Sequence, residues 1–283
     1  MINRLFAALQ HVLPHRLLSG IVYRIMRWQW RPWKNTVIRL MTRIYGIKLD
    51  EAANPDIDAY PHFNAFFTRE LRPDVRPMRK QPHELACPAD GAVCAAGTIS
   101  QDARFLAKHH EFTLEQLLGD AQLAERYRGG QFATVYLSPR DYHRVHMPLA
   151  GELKHCVHVP GRLFSVSTGS VAAIPGLFAR NERLVCDFDT EHGPMALVLV
   201  GAMLVSSIET VWQGQITPPY GRQLRQWQPE SPVSLDRGEE MGRFNMGSTV
   251  IMLFGSPAVQ WREGFDEKAV CRLRETVGQI AYG

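Results

Sequence analysis

The chain has 283 residues, 45% hydrophobic and 21% charged, with a net charge of +4. That size allows one large domain or two small ones with a substantial core, and excludes a disulfide-stapled miniature. Five cysteines (Cys87, Cys94, Cys156, Cys186, Cys271) without a C-x-x-C spacing point to reduced thiols in a cytosolic setting rather than a disulfide frame or zinc site, and no metal is expected.

The charge is unevenly spread. Residues 1–48 carry seven Arg and two Lys and no acidic residue, so this segment holds +9 and the remainder −5. A basic N-terminus implies an anionic surface, membrane or nucleic acid. No apolar run reaches the length of a membrane span: the longest, Met195 to Val205, is too short and contains Gly201. Gln10, His11 and Pro14 break the N-terminal apolar run, which argues against a signal peptide.

Residues 1–50 read as a basic, amphipathic, helical, membrane-associating segment. Leu5, Leu9 and Val12 share a face, as do Leu18, Val22, Ile25 and Met26; Pro14 should end the first helix and Ser19 cap the second. Trp28, Trp30 and Trp33 alternate with Arg27, Arg31 and Lys34, and rings beside cations suit a lipid headgroup layer. No nucleic-acid module is visible, so nucleic acid is not an expected partner.

Residues 51–85, with five prolines, read as a linker holding a short helix over Phe63–Leu71, its aromatic triplet destined for a core. Residues 86–283 read as a β-rich domain with strands expected at Gly91–Ala96, Phe132–Leu137, Leu153–His158, Leu184–Phe188, Met195–Val205, Ile208–Gln213 and Thr249–Phe254. Thr113 and Gln116 have capping-box spacing before one helix. The expected class is α+β, a mainly antiparallel β core with helical additions.

Three stretches carry groups able to do chemistry. Asp90-Gly91 is first a turn signature, and second a carboxylate able to orient a histidine. His143 and His146 lie three apart between Pro139 and Pro148, where solvated imidazoles and proton transfer are equally open readings. Gly247-Ser248 precedes an apolar, β-branched run, so Ser248 stands at a strand entrance, a nucleophile only if a base takes its proton.

In this order the segments resemble the phosphatidylserine decarboxylase proenzyme family in its bacterial, membrane-associated form. The matching pieces are Pro88–Gly91, Ser138–His146, Val159–Gly161, Leu177–Arg183, Ile208–Trp212 and Gly242-Arg243-Phe244 with Gly247-Ser248-Thr249. Met246 stands where the family has Leu, and Ser206 where Gly is usual.

The resemblance implies self-cleavage between Gly247 and Ser248, with Ser248 becoming a pyruvoyl group, an electron sink comparable in role to pyridoxal phosphate. It assigns His146 as base on Ser248, Asp90 as holder of the His146 tautomer, His143 as proton donor to the substrate carbon, and Ser165 to the substrate's polar head. It implies decarboxylation of phosphatidylserine to phosphatidylethanolamine by a peripheral protein on the cytoplasmic face of the membrane. Its large and small chains would stay associated, and a homodimer is compatible with it. The sequence leaves two rivals open. One is a Ser-His-Asp hydrolase acting on a lipid ester without cutting itself, although no G-x-S-x-G elbow is present. The other is a membrane-binding protein without catalysis.

Overall fold

The computed structural model describes residues 2–281 except 80, 82, 108, 109, 204–206, 246 and 256. Four helices come first: α1 (Ile2–Val12), α2 (His15–Ile25), α3 (Arg31–Tyr45) and the short α4 (Phe63–Phe67). Pro14 separates α1 from α2 as expected. Ser19, however, does not cap α2: it is buried in mid-helix, and the cap position is Pro14 itself. A proline at a helix start gives up only an N–H that the helix cannot use. Pro32 likewise opens α3, and Gly46 closes it in the left-handed conformation, φ 64°.

Ile38 of α3 packs with Ile47 and with Phe63, Phe66 and Phe67, so the aromatic triplet is core. The buried Lys34 ties α3 down, its Nζ donating to the carbonyls of Ile57, Asp58 and Tyr60 at 3.0, 3.2 and 2.8 Å. Further in, Leu114–Leu118 is a helix whose Thr113–Gln116 capping box is formed in both directions.

The body is an antiparallel β structure. Its main sheet runs, in order, 225–227, 151–159, 183–190, 193–200, 248–254, 131–137, 91–98 and 270–271. Ser248–Phe254 lies at its middle, hydrogen-bonded to 131–137 on one side and 193–200 on the other. It is buried on both faces: Val250, Met252 and Phe254 join one core, Ile251 and Leu253 the other. That explains a continuous apolar run where a half-exposed strand would alternate. A second sheet orders Gly214–Gln215, Ile208–Thr210, Glu240–Phe244 and Arg144–His146.

Some sequence boundaries were too generous. The strand expected at Met195–Val205 is Gly193–Val200, with Val205 outside the described residues. The one expected at Ile208–Gln213 ends at Thr210, because the chain turns at 211–213. The helix expected over Phe63–Leu71 stops at Phe67.

Candidate active site

Two of the connections between the main sheet and the second sheet carry the candidate residues. One leaves Leu137, passes 138–143 and enters Arg144–His146; the other leaves Phe244, passes 245–247 and enters at Ser248. Their ends are paired. Ser248 is opposite Leu137, Arg243 is opposite Arg144, and the Phe244 amide donates to the His143 carbonyl at 3.0 Å. The histidine loop and the Gly247–Ser248 link therefore run side by side.

The loop is stiffened from within. Asp141 Oδ2 accepts from the Ser138 amide at 2.7 Å and its hydroxyl at 2.6 Å. The Asp141 carbonyl accepts from His143 Nδ1 at 2.8 Å. That fixes the proton on Nδ1 and leaves Nε2 as an acceptor, buried and without a partner among the described residues. The ring is fully buried and lies 4.0 Å from Phe67, centre to centre. Burial, then the positive charge of Arg69, lowers the His143 pKa to about 3.

His146 is almost as buried. Its amide donates to Pro88 O at 2.9 Å, Nδ1 donates to the Gly238 carbonyl at 2.9 Å, and Tyr142 OH donates to Nε2 at 3.3 Å. Burial lowers its pKa to about 4; the Gly238 carbonyl and Asp90 work in the opposite direction, Arg274 and Arg144 with burial. His146 is thus a neutral base at neutral pH with Nε2 as its accepting atom.

Asp90 is not hydrogen-bonded to His146. Its Oδ1 accepts from Arg76 Nε at 3.0 Å and the Leu273 amide at 2.7 Å, and its Oδ2 from Arg76 NH2 at 2.5 Å. Arg76 NH2 also meets Glu51 Oε2 at 2.7 Å. The Gly238 carbonyl thus fills the role expected of Asp90, holding the His146 tautomer. Asp90 reaches His146 through its charge and through the turn carrying Pro88. Gly91 closes that turn where a Cβ would come within 2.4 Å of Tyr136 O, so only glycine fits.

At the other connection, Gly247 has φ 38°, a left-handed backbone that a side chain would strain. The backbone of Ser248 opens the central strand; its side chain, like Met246 and Ser206, lies outside the described residues. Asn245 is buried two residues before Gly247. It accepts from Asn64 Nδ2 at 2.8 Å and donates from Nδ2 to Ser207 Oγ at 2.8 Å. Asn64, Arg76, Tyr142, Gly238 and Asn245 join the site without a signal of their own in the sequence; Tyr142 alone lies within a matching motif, Ser138–His146, and Asn245 between two others.

Ser165 lies against α1. Its amide donates to Gln10 Oε1 at 2.7 Å and its Oγ accepts from the Ser167 amide at 3.3 Å, and it bonds neither histidine.

Large apolar side chains are exposed along α1–α3 and the connection before α3. Leu9, Val12, Leu17, Ile21, Trp28, Trp30, Leu40 and Ile44 are all exposed, Val12 by 77%. Among the described residues no helix is long and apolar enough to cross a membrane.

A sequence model described as phosphatidylserine decarboxylase matches residues 63–279, well over half the chain, and one described as PSD matches residues 5–46. The chain belongs to the phosphatidylserine decarboxylase family. Phosphatidylserine decarboxylase proenzymes of Azotobacter vinelandii, Pseudomonas putida (strain W619) and Bordetella pertussis are 52%, 50% and 51% identical to it. The alignments cover 99%, 97% and 97% of this chain and 100%, 97% and 94% of those relatives. Both the histidine loop and the Gly247–Ser248 link fall within the region that matches the decarboxylase family.

Proposed function

We propose that the chain is a proenzyme that cuts itself between Gly247 and Ser248 and then decarboxylates phosphatidylserine to phosphatidylethanolamine. The observation that carries this reading is the pairing of the histidine loop with the Gly247–Ser248 link, at a glycine whose backbone is left-handed.

His146 takes the Ser248 proton on Nε2, in place of the bond from Tyr142, with its Nδ1–H held by Gly238. The Ser248 oxygen attacks the Gly247 carbonyl, and the peptide C–N bond gives way to an ester. Elimination then releases the Gly247 carboxylate and leaves dehydroalanine, which water converts to ammonia and a pyruvoyl group. Asp90 acts as a positioning residue through its turn and its charge.

The surroundings suit such a group. Position 248 stays anchored by strand pairing on both sides of its strand, and the unpartnered His143 Nε2 lies on the neighbouring connection. The pyruvoyl carbonyl supplies an electron sink for the substrate's amine. His143 moves the proton that replaces carbon dioxide on the substrate carbon, and buried packing around both histidines keeps bulk water out. Ser165 contacts the headgroup region from beneath α1.

The exposed apolar face of α1–α3, with its basic residues and tryptophans, rests on an anionic cytoplasmic leaflet as a peripheral surface. The two chains remain together because the small one contributes the middle strand of the main sheet.

Intact-mass measurement of active protein tests the reading. Two chains are expected, the smaller comprising residues 248–283, 36 residues, with a blocked N-terminus. Active protein found only as full-length chain, with a serine that acylating probes label, would overturn it in favour of a hydrolase.

A further inference from the structure

Arg69 follows α4 by two residues, turned back by a bond from its amide to Phe66 O at 3.1 Å. It is only 4% exposed, yet its Nε and NH1 have no hydrogen-bond partner. Among the described residues it forms no ion pair; the Phe66 ring stands 5.3 Å from its guanidinium carbon, and the charges of Asp90 and Glu51 support it only from a distance. Other buried guanidiniums are answered. Arg76 has Asp90 and Glu51, and Arg183 has the carbonyls of Gln116, Leu117, Ala179 and Asn181. A guanidinium cannot shed its proton, so burying one without an anion is costly unless an anion arrives.

Arg69 lines a cavity of about 220 Å³ whose other cations are Lys48, Arg140 and Arg272 and whose carboxylates are Glu51, Asp90 and Asp141; Tyr142 lines it as well. Two of its lining residues support the histidines, Tyr142 bonding His146 and the Asp141 carbonyl holding His143, so the cavity lies behind the loop that carries them. The substrate of the proposed reaction brings two anionic groups, a carboxylate and a phosphodiester. The carboxylate must leave as neutral carbon dioxide, and a cation clamped on it would stabilise the ground state more than the transition state. The phosphodiester keeps its charge throughout, so holding it positions the headgroup without opposing the reaction.

Resting on the decarboxylase reading, we propose that Arg69 is a substrate-binding residue that holds the phosphodiester of the phospholipid headgroup in this cavity, behind the loop that carries His143. A phosphate seated there also cancels the charge that, after burial, does most to keep His143 unprotonated. Substrate binding thereby prepares His143 to carry the proton.

The test uses a short-chain phosphatidylethanolamine, the product, which keeps the phosphodiester, lacks the carboxylate and is not turned over. Calorimetric titration of cut Arg69→Gln protein should show affinity roughly 10–100-fold below wild type, with partial recovery in Arg69→Lys. On wild type alone, an analogue with an uncharged carbonate ester in place of the phosphodiester should bind more weakly by a similar factor. Affinity unchanged by Arg69→Gln, or equal binding of the carbonate analogue, overturns the proposal. So does an Arg69→Gln chain that folds but stays uncut, since the guanidinium would then serve cleavage. Inorganic phosphate binding as tightly as the short-chain lipid would mark a free-anion site and also overturns it. A wild-type chain that neither cuts itself nor releases carbon dioxide sinks the decarboxylase reading instead, an outcome visible on a gel before any titration.

Discussion

Arg76 grips Asp90 through two contacts, Nε to Oδ1 at 3.0 Å and NH2 to Oδ2 at 2.5 Å, with both side chains nearly buried. Burial disfavours the Arg76 cation, but its bonds to Asp90 and Glu51 prevail and raise its pKa. Breaking a buried pair from one side leaves an uncompensated charge, which costs about 3–5 kcal/mol. Arg76→Met should lower stability by that order, measured by urea unfolding in a Ser248→Ala background where the chain remains single. A loss of less than about 1 kcal/mol, the usual worth of an exposed ion pair, would show that Asp90 finds another partner.

The two histidines should separate by function. His146→Ala and Asp90→Asn should remain largely uncut on a gel. His143→Ala should cut but release carbon dioxide about 10²–10⁴-fold more slowly, the usual contribution of a positioned acid or base. An uncut His143→Ala beside a normally cut His146→Ala would reverse the assignment.

Both histidines titrate below the ordinary value of about 6.5, at about 3 for His143 and about 4 for His146. Between those values and 6.5 the unfolded chain binds more protons than the folded one, so stability rises with pH. This contribution is complete above pH ~6.5 and is lost as pH falls through the folded values. Across that window each histidine steepens the dependence by at most about 1.4 kcal/mol per pH unit. Urea unfolding from pH 8 to 4 should show a slope that flattens when His146→Asn is introduced into the uncut background. Freshly made chain should cut at a steady rate from pH 8 to 5 and slow toward pH 4, as neutral His146 is exhausted. A rate that already halves near pH 6.5 would place an ordinary, solvated histidine in the role of base.

Trp28 and Trp30 are exposed by 53% and 54% with ring centres 5.2 Å apart. The double change to alanine should weaken binding to anionic vesicles by on the order of tenfold or more, measured by flotation, since a fully buried aromatic is worth roughly 1.5–3 kcal/mol. Removing residues 1–48 outright is the poorer probe, because it strips out Ile38 and the Lys34 anchor as well. Undiminished flotation of the double variant would assign the aromatic face to something other than lipid.

The strands and helices were legible wherever one local rule decided them. The apolar run after Ser248 reads as a buried strand, and Thr113–Gln116 spells a cap. Ser19 misled because a capping residue in the sequence says nothing about whether Pro14 has already started the helix. The motifs around His143, His146 and Gly247 fall on two connections that the fold sets side by side. What the sequence hid were partners that tertiary packing alone brings in. The Gly238 carbonyl on His146 is a backbone atom 92 residues away, and Arg76 gripping Asp90 is one of many arginines in a proline-rich stretch. Arg69 was invisible for the same reason: its lack of a partner is a property of its surroundings.

The central position of Ser248–Phe254 changes the order of the folding reaction. While the chain is whole, this strand meets its neighbours as an intramolecular event with a fixed effective concentration. After a cut at Gly247–Ser248, the same strand belongs to a separate molecule, and rebuilding the sheet becomes bimolecular. Refolding yield of the cut protein should then fall on dilution, whereas that of the uncut Ser248→Ala chain should not. The uncut linkage serves as a temporary tether, and cutting it makes assembly a step that a denatured enzyme cannot readily repeat.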